Sequence, residues 1–240
     1  MVYNRGGKAF SEKKESVTMF TPETLEFIAE NCWQSSRDWF AEHRKEYLKY
    51  VRNPLIELSD TLAPVVEEID HQLVTDPRAT IARINRDLRF ARGGSIYRDT
   101  LWISFRRDRK SFQAWPEFYF IISPKECFYG CGYYCTKAPV LAEIRKMVLE
   151  DHPMYLRAKE ALAGQEYFSL GGDMYKRTRY KDQSEEKRLW LDRKVFQFSH
   201  FADGNELFSA ELADNIKKTY RDMEPIYNFL RYAEERAEEE

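Results

Sequence analysis

The arginines are the residues whose placement in this 240-residue chain asks for a chemical explanation. One stretch alternates in type: Ile81-Ala82-Arg83-Ile84-Asn85-Arg86-Asp87-Leu88-Arg89-Phe90. In a strand, every second side chain shares a face, at intervals of about 7 Å. Arg83, Asn85, Asp87 and Arg89 then project together. Such a row of guanidinium forks suits bidentate capture of a phosphate or carboxylate. The Gly93-Gly94 pair that follows lets backbone donors approach an anion closely. Tyr97 adds a hydroxyl donor and Arg98 another cation, and Asp87 is placed to orient a guanidinium or act as a base. Lys176 and Arg177 are candidates to reach in from a later segment. The competing account is a solvated face on which Asp87 neutralises its neighbours.

Arg86 falls on the opposite parity, with Ala82, Ile84, Leu88 and Phe90. A charge among apolar neighbours needs a partner, so a buried ion pair with an Asp or Glu is expected there.

Other chemistries lack their patterns. Cys32, Cys127, Cys131 and Cys135 form no C-x-x-C pair. Steps of four residues along a strand are about 13 Å, far beyond zinc–sulfur bonds of ~2.3 Å. No metal site and no cofactor are therefore expected, and the thiols are expected to be reduced. His43, His71, His152 and His200 occur singly, outside any metal-binding spacing. His43 reads as a core histidine on an apolar helix face. Nucleophile-elbow, P-loop and dinucleotide fingerprints are missing from the chain. The aromatic run from Phe128 to Tyr134 could stack on bases, but it does not match the motif of RNA-binding sheets. Nucleic acid is not the expected partner.

The elements that must hold the arginines can be read from periodicity and punctuation. Thr21-Pro22 is a cap followed by proline at the first helical position, with Leu25, Ile28, Ala29 and Cys32 forming a stripe. Ser35 or Ser36 caps a second helix, and Asn53-Pro54 starts a third that Pro64 should kink or break. Strands are expected over 81–90, 101–106, 118–122 and 126–135. The run Phe118–Ile122 is apolar on both faces, as in a strand covered on both sides. Pro139 and Pro153 open helices, the second ending at Gly164. Leu189–Phe201 reads as a late strand, and 206–236 as helix with a break at Pro225. Short links between strands favour antiparallel pairing. The expectation is an α+β fold: a single domain over 17–236, with a mainly antiparallel central sheet flanked by N-terminal and C-terminal helices. Residues 1–16 read as a disordered tail or an expression remnant, and 237–240 as an acidic tail.

Composition sets the frame. With 43% hydrophobic and 15% aromatic residues, wholesale disorder is excluded. No apolar run approaches the roughly 18 residues of a membrane span, and the first residues lack the apolar core of a secretory signal. A cytoplasmic protein without a membrane partner is the expectation. The net charge of −2 is unevenly spread: residues 76–110 carry ten Lys/Arg against four Asp/Glu, and 23–70 carry five against eleven. Either the two halves attract each other, or a basic site has an acidic back.

The run from Arg83 to Phe90, followed by Tyr97-Arg98 and Thr100, resembles the central motif of conserved hypothetical proteins catalogued as domain of unknown function 2461. Phe20-Thr21-Pro22-Glu23-Thr24-Leu25 with Arg37-Asp38-Trp39-Phe40 and Tyr47 is similar to that family's opening. Gly132-Tyr133 with Leu141 and Ile144-Arg145 is similar to its middle, and Gly172-Asp173 with Tyr175-Lys176-Arg177 to a later segment. Ala91, Arg92, Gly93, Gly94, Ile96 and Arg98 depart from the family pattern; two of its lysines are arginine here and a third is glycine. The resemblance implies one domain and brings no activity. Three functional readings stand: a site for a small anionic, phosphate-bearing ligand; an interaction module whose arginines form internal ion pairs; and an enzyme whose site assembles only in three dimensions.

Overall fold

The computed structural model describes residues 18–87, 89, 94–107 and 115–239. The expected N-terminal tail, Leu88, Phe90 and Gly93 lie outside the described residues.

Thr21 is extended at the N-cap and Pro22 opens α1 (Pro22–Gln34), which buries Thr24, Phe27, Ile28 and Asn31. Ser36 accepts a hydrogen bond from the Trp39 amide at 3.3 Å and starts α2 (Arg37–Glu42). The chain runs on through α3 (Arg44–Glu46) and a π-helical segment (Tyr47–Arg52) into α4 (Asn53–Ile69). Asn53-Pro54 opens α4 as expected, but from Arg52, which is already helical, rather than from an extended cap. The Asn53 amide reaches back to the Leu48 carbonyl in the wider π pattern, and Pro54, which has no amide to donate, enters at the reorganised ladder. Pro64 leaves α4 unbroken, because it is exposed and the carbonyl it leaves free is on the solvent side of the helix.

After the short α5 (Pro77–Thr80) come β1 (Leu101–Phe105), β2 (Glu117–Ile122) and β3 (Cys127–Gly132). They are followed by α6 (Ala138–Leu149), α7 (Pro153–Ala163), β4 (Ser169–Gly171), α8 (Glu185–Leu191) and β5 (Gln197–Ala202). The chain closes with α9 (Gly204–Leu207), α10 (Leu212–Asp222) and α11 (Glu224–Glu239). Residues 237–239 thus belong to a helix rather than a tail. Within the stretch expected as one late strand, residues 189–191 are the end of α8. Ser184 caps that helix and two glutamates fill its first turn, a start signal that outweighs the apolar run behind it.

The sheet is antiparallel throughout, in the order β1-β2-β3-β5-β4. One row of its register runs Ile103, Phe120, Tyr129, His200. That face packs on helices: Phe118 meets the rings of Tyr220 and Tyr227, Phe120 stacks on Phe20, and Phe198 meets Trp190. The opposite row, Trp102, Ile121, Phe128, Phe201, is half-buried to exposed, with Phe201 61% exposed. On the same face the next row, Ser104, Tyr119, Gly130 and Ser199, is buried, with Tyr119 6% exposed, so β2 is covered on both faces over part of its length. The fold is a single α+β body.

Residues 81–87 do not form the expected strand. They make isolated bridges only, Ile81 to Ile103 and Asn85 to Tyr97. Ile81 and Ile84 are both buried while Arg83 and Asn85 are exposed. A bend at Ile84 breaks the alternation that a regular strand would impose.

Candidate functional site

The helical run 37–52 and the segment 81–87 form facing walls. The second wall is held by Arg86 donating its amide to the Ile96 carbonyl (2.9 Å) and Arg98 donating to Ile84 (2.8 Å). Ser35, left-handed at φ 48°, accepts from the Ile96 amide at 3.0 Å and so pins this segment to the end of α1. Between the walls lie two contiguous recesses that share Phe40 and Asn85. The first, about 320 Å³, is lined by Arg44, Arg52, Arg78 and Arg83 over Tyr47, Ile81 and Ile84. The second, about 410 Å³, is lined by Arg37 and Arg86 with Ile96 and Tyr97. Phe40 lies 5.2 Å from the Tyr47 ring and 5.1 Å from Tyr97, which makes an aromatic floor.

Among the described residues, no Asp or Glu lines either recess. Among the described residues no carboxylate pairs with Arg37, Arg44, Arg52, Arg78 or Arg83. Arg86 has its acidic partner, Asp99, at 3.6 Å, but the pair is not the buried one expected: the side chains are 32% and 58% exposed. The bend at Ile84 turns Arg86 from the core toward the cleft rim. Burial raises the Tyr47 hydroxyl above its usual value, opposed by the charges of Arg52 and Arg44. It raises Tyr97 likewise, opposed by Arg37. At both hydroxyls burial outweighs the opposing arginine charges.

The arginines of α2, α3 and the π-helical segment were not singled out in the sequence, yet their spacing carried a signal. Arg37, Arg44 and Arg52 recur at seven and eight residues. A seven-residue step is close to two α-helical turns, and the wider π-turn brings the eight-residue step close to two turns as well. The net −6 of residues 23–70 masked this stripe.

The remaining sequence candidates divide. Arg83 and Tyr97 line the cleft. Asp87 and Arg89 engage each other, Nε to Oδ1 at 3.0 Å and Nη2 to Oδ2 at 2.6 Å. That pair and the Arg89 amide hold the Asp87 carboxyl down at about 2, too weak for a base near neutrality. Arg98 stacks over Trp102 at 4.8 Å, and its Nε is buried without a hydrogen-bond partner. Burial and the neighbouring Arg86 both lower its pKa. Lys176 and Arg177 are exposed in the segment after β4, at the sheet edge opposite β1 and so about four strand spacings, roughly 19 Å, away. They do not join the cleft. They sit beside Tyr175, whose ring is approached by Arg145, Arg179 and Lys194 at 5.1–5.5 Å. Cys127 and Cys131 are buried in β3, Cys32 is half-buried and Cys135 exposed. Among the described residues no group of His, Cys, Asp and Glu could hold a metal ion.

Fold and cleft together define a one-body α+β protein with a carboxylate-free arginine cleft beside an edge of its sheet. The model of the conserved hypothetical protein family DUF2461 matches residues 23–229, and the chain belongs to that family. No curated protein matches the chain. No helix among the described residues is long and apolar enough to cross a membrane.

Proposed function

We propose that the cleft between the 37–52 helical run and residues 81–98 binds a small anionic ligand, a phosphate-bearing one best fitting its donors. One observation carries the reading: among the described residues, six arginines and no carboxylate line two joined recesses. Five of the six have no ion-pair partner among the described residues. Surface arginines without neutralising partners repel one another, and a bound oxyanion removes that repulsion while accepting charge-assisted bonds worth about 1.5–3 kcal/mol each. The floor of Phe40, Tyr47 and Tyr97 keeps part of the site dry, which strengthens each such bond. The lining holds no thiol, imidazole or carboxylate, so binding rather than catalysis is the function it supports.

The interaction-module reading needs the arginines paired internally. Such arginines exist, Arg107 with Asp70 for example, but they lie outside the cleft. The test is calorimetric titration with inorganic phosphate, pyrophosphate, a nucleoside monophosphate and a dicarboxylate. Saturable binding of a phosphate species, weakened at least tenfold in Arg44→Ala/Arg83→Ala, is expected. Absence of binding for all four, or equal affinity in the double variant, overturns the reading.

A further inference from the structure

A second recess opens between α1 and the helical run 37–52, with a volume of about 850 Å³. Rings define it: Phe27 and Trp33 from α1, and Trp39, His43 and Tyr50 from the facing run. Trp33 is 77% exposed, the highest value among the described large apolar side chains. Trp39 and His43 stack at 4.0 Å with an interplanar angle of 13°. His43 Nδ1 lies 2.8 Å from the Trp39 carbonyl oxygen, which can only accept, so this imidazole is held in place as part of the wall.

The rim of these rings is acidic. Glu23, Glu26, Glu30 and Glu46 line the recess, and among the described residues no Lys or Arg does. Glu30 accepts from Gln34 Nε2 at 2.6 Å, whereas Glu26 and Glu46 have no ion-pair partner among the described residues. Lys49 lies over the Tyr50 ring at 4.5 Å, so this wall already takes one cation from the chain itself.

We propose that this recess is a docking groove for a basic peptide segment of another protein, with a Lys or Arg side chain laid over the Trp33 indole between the glutamates. The argument is charge complementarity on an aromatic floor. Lys and Arg bring an apolar stem for the rings and a cationic head for both the ring faces and the carboxylates. An acidic peptide or a nucleic-acid backbone is repelled by the rim, and a purely aliphatic segment would desolvate four carboxylates without pairing them. The groove shares no lining residue with the arginine cleft and lies on the adjacent face of the same helical run, with the Phe27 and Tyr47 rings, 6.0 Å apart, between them.

Fluorescence anisotropy with a labelled Arg-Leu-Lys-Leu-Arg peptide, against Glu-Leu-Glu-Leu-Glu, tests the proposal on the full chain. The basic peptide is expected to bind saturably and the acidic one not at all. Glu26→Gln/Glu46→Gln should weaken binding at least tenfold and flatten its salt dependence. Trp33→Ala, which leaves the charge unchanged, should weaken it at least fivefold. These side chains are exposed, so both variants should melt with the parent. Several results would overturn the proposal: no saturable binding, equal binding of the acidic peptide, or affinity unchanged in either variant. Concentration-dependent self-association lost in Trp33→Ala would do so too, by making a second copy of this chain the occupant.

Discussion

Arg107 and Arg83 differ in a way that stability measurements can resolve. Arg107 donates through Nε to Asp70 Oδ2 at 2.6 Å, reaches Glu235 at 3.1 Å and lies over the Trp115 ring at 4.8 Å. Its side chain is 12% exposed and that of Asp70 only 3%. Arg107→Ala therefore strands a buried carboxylate that keeps only the Tyr227 hydroxyl and the Gln72 amide. Removing one partner of a buried pair costs about 3–5 kcal/mol, a large share of the roughly 5–15 kcal/mol that holds a domain folded. At about 2–4 °C per kcal/mol for a chain this size, the melting temperature should fall by about 6–20 °C. Arg83→Ala removes an exposed guanidinium with no carboxylate partner, so its effect should stay within about 0.5 kcal/mol. At low salt the sign should be stabilising, because repulsion within the cleft is relieved. Chemical denaturation of both variants alongside the parent decides the matter. A loss in Arg83→Ala comparable to that in Arg107→Ala would make the cleft arginines structural and remove the ground for an anion site.

The Asp70 carboxyl would be raised by burial, but Arg107, Tyr227 and the Gln72 amide together hold it below its usual value. Its contribution to stability is thus full above the unfolded carboxylate pKa, about 3.9, and is lost as pH falls through the lower folded value; Asp70→Asn should flatten the acid limb of a stability–pH curve, and an unchanged limb would refute the assignment. Gly130→Ala would place a Cβ 1.8 Å from the Phe198 carbonyl oxygen between two paired strands, so the variant should be insoluble or melt far below the parent, and a parent-like melt would contradict the β3–β5 register. Burial pushes the Cys127 and Cys131 thiols well above their ordinary range, so Ellman's reagent should label Cys135 first and Cys127 and Cys131 only with global unfolding. Rapid labelling of all four thiols would refute that burial.

Much of the fold was legible because short-range rules dominate where they were applied. Ser36 caps α2 through its side chain, Pro22 opens α1 where no amide is needed, and 118–122 is a strand whose Phe118, Phe120 and Ile122 bury against the helical layer. The failures share a cause. At Pro64 the helix continues because the carbonyl left without a donor is on its solvent side. At Ile84 a single bend moves Arg86 from the parity of the core to the rim of a cleft. Half of the site was visible, Arg83 and Tyr97, because it lies on one contiguous segment. Arg37, Arg44 and Arg52 were not, since window charge averages a cationic helix face with its acidic reverse, and Arg78, inside the basic window, stands apart from the alternating run. Lys176 and Arg177, candidates to reach in from a later segment, follow β4 at the far border of the sheet, a placement that no local rule fixes.

The two borders of the sheet bear on solubility. β4, at one border, is three residues long and offers few free amides to a passing strand. At the other, β1 is screened by the chain that precedes it: Ala82 donates its amide to the Trp102 carbonyl, Val74 donates to Arg106, and Ile81 bridges Ile103. The arginine-bearing segment therefore also serves as a charged selvedge against edge-to-edge aggregation. A chain shortened to begin after residue 98 would lose its cleft wall and bare an apolar strand edge in the same cut. The same cut removes α1 and α4, whose Ile28, Leu58, Leu62 and Val66 are fully buried, so insolubility of such a fragment would report the lost core together with the exposed border.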